Sequence, residues 1–505
     1  MVRPVVPFML LLLVPLARAE NPPRPPLPTL VELPGPLVIA GGGTVPDDVR
    51  EALFDLAGKE KARVVVISVT PAEADTLLKP WRALKPASVV VLRAGDRKAA
   101  DDPAVAKPLA DATGVWLDGD PAKIVAAYGG TGIEKELRKL HTRGAVIGGT
   151  GDAFGFQPGF VVEPHFTSAG SKRLHAAVAT LPGSVGLGIA DGTAVTARGR
   201  LLRVVGDGTV TICIGKGGGR SEATQEAKKD SVLDVFQLRR AAANRAAKEP
   251  FPPAKPRDPV VEKGTLLIVG GGSAGPEIWK KFIDLAGGPD ALIVMIPTAQ
   301  DDPLALRHPE VAAIAKHGEK NVRVLHTRDR KEADDPKFSA VLAKATGVWF
   351  GGGRQWRFVD AYEGTLAEKR IHDVLARGGV IGGSSAGASI QSEYMPRGHP
   401  LGNTVMAAEG YERGFGFLPG CAVDQHFFAR RRTADMTGLM AHYPQFLGIG
   451  IDEGTAIVVT GSKAEVIGKS KVGFYDTRKK PAGGLDYEEV KTGGAYDLKK
   501  RAPVE

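Results

Sequence analysis

The chain has 505 residues, a length that favours two domains over one continuous core. Hydrophobic residues make up 43% and charged residues 24%, values typical of folded globular proteins, which excludes a disordered chain and a multi-spanning membrane protein. The formal net charge is +9, but Lys and Arg are scattered among Asp and Glu, so no nucleic-acid partner is expected.

Residues 1–19 have the features of a secretory signal peptide: Arg3 precedes an apolar run over residues 8–16, and the segment ends in A-R-A. This run is shorter than the roughly 20 residues that a membrane span needs. We therefore expect cleavage after Ala19, export to the periplasm or the medium, and no membrane attachment afterwards. The Pro-rich residues 20–34 suit a flexible mature N-terminus.

A duplication organises the rest of the chain. The first copy spans residues 35–249 and the second spans 263–475, and a block near 388–414 is present only in the second. Six motif pairs recur in the same order: LVIAGGG and LLIVGGG, FDLAG and IDLAG, ATGVWLDGD and ATGVWFGGG, RGAVIGGTGDA and RGGVIGGSSAG, FGFQPGFVVEPHF and FGFLPGCAVDQHF, GLGIADGTAV and GIGIDEGTAI.

Each copy alternates β-branched apolar runs such as VVVIS with helical patterns such as VREALFDLAG. Such runs are typical of parallel strands covered on both faces, with the helices as crossovers. The sequence therefore predicts an α/β fold of two tandem three-layer α/β/α sandwiches with mostly parallel sheets. Residues 250–262 form a Pro-rich linker, and the polar residues 476–505 predict a surface hairpin or a tail.

The two cysteines, Cys213 and Cys421, lie in apolar sequence and predict buried free thiols rather than a disulfide. No CxxC, HExxH or clustered His/Cys spacing occurs, so neither a metal nor a cofactor is expected.

A candidate nucleophile lies in the second copy. Residues 383–387, G-S-S-A-G, follow an apolar strand and precede a segment that can start a helix. This is the context of a nucleophile elbow, in which a tight turn exposes the oxygen of Ser385 and the N–H of Ala386 faces the developing oxyanion. The motif alone does not establish catalysis, because turns of small residues are common.

A seryl hydroxyl needs a general base, and three histidines follow Ser385: His399, His426 and His442. His426 comes just after an apolar strand, whereas His399 lies in PRGHPLGN and His442 in a helical pattern. We therefore expect His426 to be the base.

The orienting carboxylate is expected at the end of the apolar run FLGIGI, where Asp452 and Glu453 follow. Glu453 is favoured. No histidine follows these acids, so the order is Ser, His, acid and not the Ser, acid, His of α/β-hydrolases.

The second copy resembles the cyanophycinase and aspartyl-dipeptidase serine peptidases, whose sandwich fold is related to class I glutamine amidotransferases. DQHF followed by arginines is more similar to the cyanophycinases. The matching motifs are the opening GGG, PTA (297–299), FGGGRQ (350–355), GGSSAGAS (382–389), GFLPG (416–420), DQHFFARRR (424–432) and GIGIDEGTA (448–456).

The resemblance implies a nucleophile at Ser385, a base at His426 and its orienting acid at Glu453. Oxyanion donors are expected at Ala386 and at Gly353 in the glycine turn. The family's reaction is removal of β-linked Asp-Arg units from the end of a polyaspartate backbone that bears arginine side chains.

The same resemblance implies a substrate-contacting glutamine at Gln355 and a substrate-binding segment with Asp424, Gln425, Arg430 and Arg432. We expect Asp424 to meet a substrate guanidinium and Arg430 or Arg432 to bind a carboxylate. The alternative for these arginines is a solvated helix face.

The first copy serves as an internal control. It has Gly151 where the second has Ser385, although His165 and Asp191 persist, so it is expected to be catalytically inactive. The resemblance implies a dimeric working form, so the two copies are expected to pack against each other as a pseudo-dimer within one chain. The alternatives are a homodimer of the whole chain and a first copy that binds the polymeric substrate.

Two other functions remain open at this point. They are an α-aspartyl or isoaspartyl dipeptidase and a non-catalytic peptide-binding protein. Arg354 and Trp356 flank Gln355 and can alter which terminal group of a substrate fits, so the sequence predicts the reaction type more firmly than the substrate. Nucleotide binding is not favoured, since neither GGG turn continues as G-x-G-x-x-G.

Overall fold

The computed structural model describes residues 32–302, 309–318, 320–479 and 484–505. The predicted signal peptide and nearly all of the Pro-rich segment lie outside these residues. Both halves of the described chain contain helices packed on mixed β-sheets, so the predicted α/β class is confirmed.

The first half, up to the linker, comprises twelve strands and seven α-helices among the described residues. The strands are β1 (Leu37–Ala40), β2 (Arg63–Ser68), β3 (Ser88–Leu92), β4 (Gly114–Asp118), β5 (Val146–Thr150), β6 (Phe160–Glu163), β7 (Val185–Ile189), β8 (Thr193–Arg198), β9 (Leu201–Gly206), β10 (Val210–Ile214), β11 (Ala223–Ala227) and β12 (Val232–Asp234). The helices are α1 (Asp47–Leu56), α2 (Ala74–Ala83), α3 (Pro103–Ala106), α4 (Pro121–Tyr128), α5 (Gly132–Thr142), α6 (Ser171–Thr180) and α7 (Val235–Ala246).

The second half comprises fourteen strands and seven α-helices among the described residues. The strands are β13 (Val261–Val269), β14 (Ile293–Ile296), β15 (Val322–Val324), β16 (Gly347–Phe350), β17 (Val380–Ser384), β18 (Ser392–Tyr394), β19 (Leu418–Asp424), β20 (Leu447–Ile451), β21 (Thr455–Gly461), β22 (Lys463–Gly468), β23 (Lys471–Tyr475), β24 (Glu488–Lys491), β25 (Ala495–Asp497) and β26 (Ala502–Val504). The helices are α8 (Pro276–Ala286), α9 (Pro309–Lys316), α10 (Arg330–Ala333), α11 (Trp356–Tyr362), α12 (Leu366–Ala376), α13 (Ala386–Ser389) and α14 (Thr433–His442).

Each half has one large sheet, in the order β12-β9-β8-β1-β5-β4-β2-β3 or β15-β14-β16-β17-β13-β21-β22-β25-β26. The five strands from β3 to β1, and from β15 to β13, are parallel. The remaining strands are antiparallel, so the prediction of mostly parallel sheets is wrong. Short hairpins such as β8–β9 and β21–β22 dictate this, because a tight turn joins only antiparallel neighbours.

The alternating side chains of β13 show why its apolar run is continuous. Leu267 and Val269 pack with α8 on one face of the large sheet. Leu266 and Ile268 pack on the other face with α11, α12 and strands of a second sheet. Both faces are buried, as a strand without polar alternation requires.

The second, smaller sheet of each half was not anticipated from the sequence. Its order is β11-β10-β7-β6 in the first half and β18-β19-β20-β23-β24 in the second. Strands β6 and β19 precede the two predicted histidine positions, His165 and His426, so the smaller sheets deliver the imidazoles.

The C-terminal residues form a hairpin and not a free tail. Strand β24 extends the smaller sheet, and β25 and β26 form an antiparallel pair at the edge of the large sheet. The rings of Phe474 and Tyr496 stack with centroids 3.9 Å apart, which fixes this segment to the core. Across the described ranges, none of the helices is both long and apolar enough to cross a membrane.

Candidate active site

Ser385 lies in a strained turn between β17 and α13. Its backbone has φ 56° and ψ −111°, a conformation that non-glycine residues rarely adopt. The following Gly387 must be glycine, because a Cβ there would lie 2.1 Å from the carbonyl oxygen of Phe350. The predicted strand–turn–helix elbow is therefore present, and it holds the hydroxyl half-exposed at the carboxyl edge of the large sheet.

Residues 269–271, at the end of β13 and in the turn after it, accept three backbone hydrogen bonds through their carbonyl groups. The donors lie in the three segments that contain the candidate catalytic residues. The carbonyl of Val269 accepts from the N–H of Ser385 at 3.1 Å, and that of Gly270 accepts from His426 at 2.6 Å. The carbonyl of Gly271 accepts from the N–H of Gly454, the residue after the predicted acid, at 2.9 Å. Distant segments are thus fixed to one short stretch of backbone.

The side chains of Ser385, His426 and Glu453 form a continuous hydrogen-bonded chain. Ser385 Oγ lies 2.9 Å from Nε2 of His426. Nδ1 of the same imidazole lies 2.6 Å from Oε1 of Glu453. The structure therefore brings together the three residues named from the sequence.

The other candidates have different partners. Asp452 accepts from the N–H of Ala429 at 2.9 Å and from the hydroxyl of Ser470 at 2.7 Å. The ring of His399 accepts from the N–H of Leu401. Asp452 and His399 therefore have local structural roles.

The imidazole of His426 is enclosed, with 10% of its side chain exposed. Burial lowers the pKa of His426 below its ordinary value, the hydrogen bond to Glu453 opposes this, and the charges of Arg430 and Arg432 add to the lowering. A neutral imidazole with Nδ1–H donated to a carboxylate leaves Nε2 free to accept the seryl proton.

The two predicted oxyanion donors lie near the nucleophile. The N–H of Ala386 is the first of α13 and has no acceptor within that helix. Gly353 belongs to the glycine turn between β16 and α11, and a Cβ on the neighbouring Gly352 would lie 3.6 Å from that of Ser385. The turn therefore runs directly beside the nucleophile.

The expectation that Asp424 meets a substrate guanidinium is wrong. Asp424 has 0% exposure, and its carboxylate accepts from Arg397 at 3.0 Å and from Arg432 at 3.1 Å. A buried carboxylate needs such partners, and here two arginines of the protein supply them. Arg432 is itself buried and also donates to the carbonyl of Gln425 at 2.7 Å.

Gln355 and Gln425 are also buried and bound within the protein. The amide of Gln355 donates to the carbonyls of Pro396 and Arg397 at 2.8 and 2.9 Å. The side-chain oxygen of Gln425 accepts from Ser389. Of the five predicted substrate-binding residues, Arg430 alone has an exposed side chain.

Sequence reasoning missed Arg397. This buried residue lies in the block that only the second copy has, and it binds Asp424, the carboxylate of Asp435 at 2.6 Å and the carbonyl of Asn403 at 3.1 Å. The position of the block, directly after the nucleophile, was the signal that pointed to it.

The first half keeps the same frame without a nucleophile. Gly151 stands in the elbow with φ 65°, and its N–H donates to the carbonyl of Ala40 at 2.8 Å. Nδ1 of His165 lies 2.7 Å from Oδ1 of Asp191. The His165 side chain is 57% exposed, so this pair faces solvent and has no hydroxyl to activate.

Within the part of the chain that the structure describes, no group of three or more His, Cys, Asp or Glu side chains is arranged to hold a metal ion.

The similarity to known peptidases lies in the second half of the chain. The profile of peptidase family S51 matches residues 266–467. A cyanophycinase of Geminocystis herdmanii is 34% identical over 220 residues, which cover 42% of this chain and 81% of that protein. A cyanophycinase of a Nostoc species is 31% identical over 230 residues, 44% of this chain and 76% of that protein.

Two solved structures give weaker matches. A peptidase from an acI-B1 actinobacterium is 25% identical with a TM-score of 0.38, over 46% of this chain and 97% of that one. A putative peptidase E protein from Listeria monocytogenes is 18% identical with a TM-score of 0.32, over 41% of this chain and 99% of that one.

We expect Glu453→Gln to lower the pKa of His426 by about one pH unit or more, because the charged acceptor of its Nδ1–H is lost. Histidine-selective ¹³C NMR titration measures this, with the resonance assigned by its absence in His426→Asn. The matched control is Asp452→Asn, which removes the neighbouring carboxylate and is expected to leave the titration unchanged. Equal shifts in both variants would show that Glu453 has no special coupling to the ring.

Proposed function

The chain belongs to peptidase family S51, and from this premise we propose that it is a serine peptidase that hydrolyses β-aspartyl peptides of the cyanophycin type. The observation that carries the proposal is the hydrogen-bonded chain from the hydroxyl of Ser385 through His426 to Glu453.

The mechanism follows from this geometry. As the oxygen of Ser385 attacks the carbonyl carbon, Nε2 of His426 takes its proton, because a free seryl hydroxyl is almost never ionised at neutral pH. The N–H groups of Ala386 and Gly353 stabilise the negative oxygen of the tetrahedral intermediate. His426 then protonates the leaving amine, and an ester remains on Ser385. A water activated by the same imidazole hydrolyses the ester and restores the hydroxyl.

The substrate class rests on the curated relatives, which are named cyanophycinases. Such a polymer carries β-linked arginines with free carboxylates, and a bidentate arginine is a suitable ligand for one of them. Arg430 is exposed and near enough to His426 to influence its pKa, which favours it for this role. Release of β-Asp-Arg dipeptides from the polymer end is the expected reaction.

We also propose that the halves are tandem three-layer sandwiches of the class I glutamine amidotransferase type. The support is internal. Both large sheets place their five parallel strands in the same order, and both have hydrophobic clusters on either face.

Export is part of the same proposal and rests on residues 1–19 alone. N-terminal sequencing of the protein recovered from the periplasm or the medium is expected to begin at Glu20. Recovery of the uncleaved chain from the cytoplasm would contradict this.

We expect His426→Ala and Ser385→Ala each to lower kcat for β-Asp-Arg hydrolysis by about a thousandfold or more, since each removes a member of the hydroxyl–imidazole unit. The matched control is His165→Ala in the first half, where Gly151 offers no nucleophile; its rate is expected to equal that of the wild type. Unchanged hydrolysis in Ser385→Ala would remove the proposed nucleophile.

The acid limb of kcat/KM is expected to have its midpoint below 6.5, the ordinary pKa of histidine, because burial lowers the pKa of His426 and only its neutral form accepts a proton. Activity should therefore persist as pH falls to 6.5 and disappear below it. A midpoint above 6.5 in the pH–rate profile would argue against His426 as the base.

The substrate test offers the mature protein insoluble cyanophycin and, separately, β-Asp-Arg, isoaspartyl and α-aspartyl peptides, with products identified by mass spectrometry. Release of β-Asp-Arg from the polymer is the expected result. Cleavage of only the small isoaspartyl or α-aspartyl peptides would make the chain a dipeptidase instead. Absence of any hydrolysis would leave a peptide-binding protein.

A further inference from the structure

Residues 392–414, here called the pocket segment, lie beside the candidate site. The carbonyls of Pro396 and Arg397 hold Gln355, and the carbonyl of His399 accepts from Arg354 at 2.6 Å. Through these bonds and the pair of Arg397 with Asp424, the pocket segment supports the glycine turn and the strand that leads to His426.

The opposite end of the pocket segment is held by arginines of the first half. Arg245 of α7 donates twice to the carboxylate of Glu409, at 2.6 and 2.8 Å. Arg220 pairs with Glu409 at 3.0 Å and with Glu412 at 2.7 Å, and it donates to the hydroxyl of Tyr443 at 3.0 Å. Among the described residues, Glu409 and Glu412 form ion pairs with arginines of the first half alone.

Backbone contacts strengthen this attachment. Arg240 of α7 donates to the carbonyl of Gly410 at 2.8 Å, and Gln237 donates to the carbonyl of Glu409 at 2.9 Å. A Cβ on Gly410 would lie 2.7 Å from the carbonyl oxygen of Gln237, so the pocket segment rests directly on α7.

Arg200 of the first half contacts Tyr411 of the pocket segment and two residues of α11, the helix after the glycine turn. Its guanidinium binds Asp360 at 2.7 Å and the hydroxyl of Tyr411 at 3.0 Å. It also lies over the ring of Trp356, 4.4 Å from the centroid. Trp356, which follows Gln355 in the chain, is thus a contact of the first half.

These pairs are largely shielded from water. The side chains of Arg245 and Glu412 are 7% and 3% exposed, and Arg220 is 19% exposed. Buried ion pairs contribute little net stability compared with apolar packing, but loss of one partner leaves a charge without compensation. They define one arrangement of the pocket segment against the first half.

We propose that the first half is a positioning element for the active site of the second, and that Arg220, Arg240 and Arg245 hold the pocket segment so that its contacts with Gln355 and Asp424 are kept. The inference rests on the proposed function for its kinetic consequence. The inactive half then sets the affinity of the active half for substrate while leaving the chemical step to the triad.

Arg220 is the best residue for a test, because every hydrogen bond and ion pair of its guanidinium given above goes to the second half. In Arg220→Ala of the full chain, we expect KM for a β-Asp-Arg peptide to rise about five- to thirtyfold with kcat within about twofold of wild type. Arg220→Lys keeps the positive charge but loses the planar guanidinium that donates to several groups at once, so a KM between those of the wild type and Arg220→Ala is expected.

The matched control is Arg203→Ala, which removes an exposed arginine of the same half that pairs with Asp230 at 3.4 Å; no change is expected. Hydrogen–deuterium exchange of peptides covering residues 395–413 gives a readout that needs no activity, and faster exchange is expected in Arg220→Ala alone. If this variant does not fold, Glu412→Gln tests the same pair from the other side.

Unchanged KM and unchanged exchange in the folded variant would overturn the proposal. So would a fall in kcat without a rise in KM, since this would place Arg220 in the chemistry and not in positioning. If the wild type hydrolyses no peptide, the proposed function fails, and the exchange experiment still decides whether the first half holds the pocket segment.

Discussion

The candidate site depends on three adjacent carbonyl groups, residues 269–271, that hold the elbow, the histidine and the acid-bearing turn. The last of these residues must be glycine, because the imidazole of His426 covers it: a Cβ on Gly271 would lie 2.3 Å from Cε1 of the ring. The first half has the same constraint, with a Cβ on Gly42 only 2.2 Å from Cε1 of His165. The first half therefore has the same backbone frame, with Gly151 at the position of Ser385.

Sequence patterns located the residues of this frame because each lies at a sharp local transition. Ser385 follows a buried strand within small residues, and His426 and Glu453 each end an apolar run. Strand ends at one edge of a sheet converge in such folds, so separate local signals predicted one site. The structure brings these three side chains together and turns Asp452 and His399 to other partners.

The remaining parts depend on pairings that no local pattern encodes. The resemblance implied a substrate role for Asp424, and no local pattern showed that Arg397, 27 positions earlier in the chain, is its partner. The smaller sheets were missed because the apolar runs before His426 and Glu453, although recognised as strands, do not show that they pair with each other in a separate sheet. The antiparallel strands of the large sheets follow from hairpins such as β8–β9 and β21–β22. Apolar runs alone do not predict these hairpins.

Ion pairs join the two halves of the chain. Glu409 and Glu412 are carboxylates of the second half whose described ion pairs are with Arg220 and Arg245 of the first. Separating the halves would leave these four charged side chains without their partners. If the first half positions the pocket segment, as we propose, it needs no catalytic residue of its own, since its contribution is to hold the segment that binds Gln355 and Asp424.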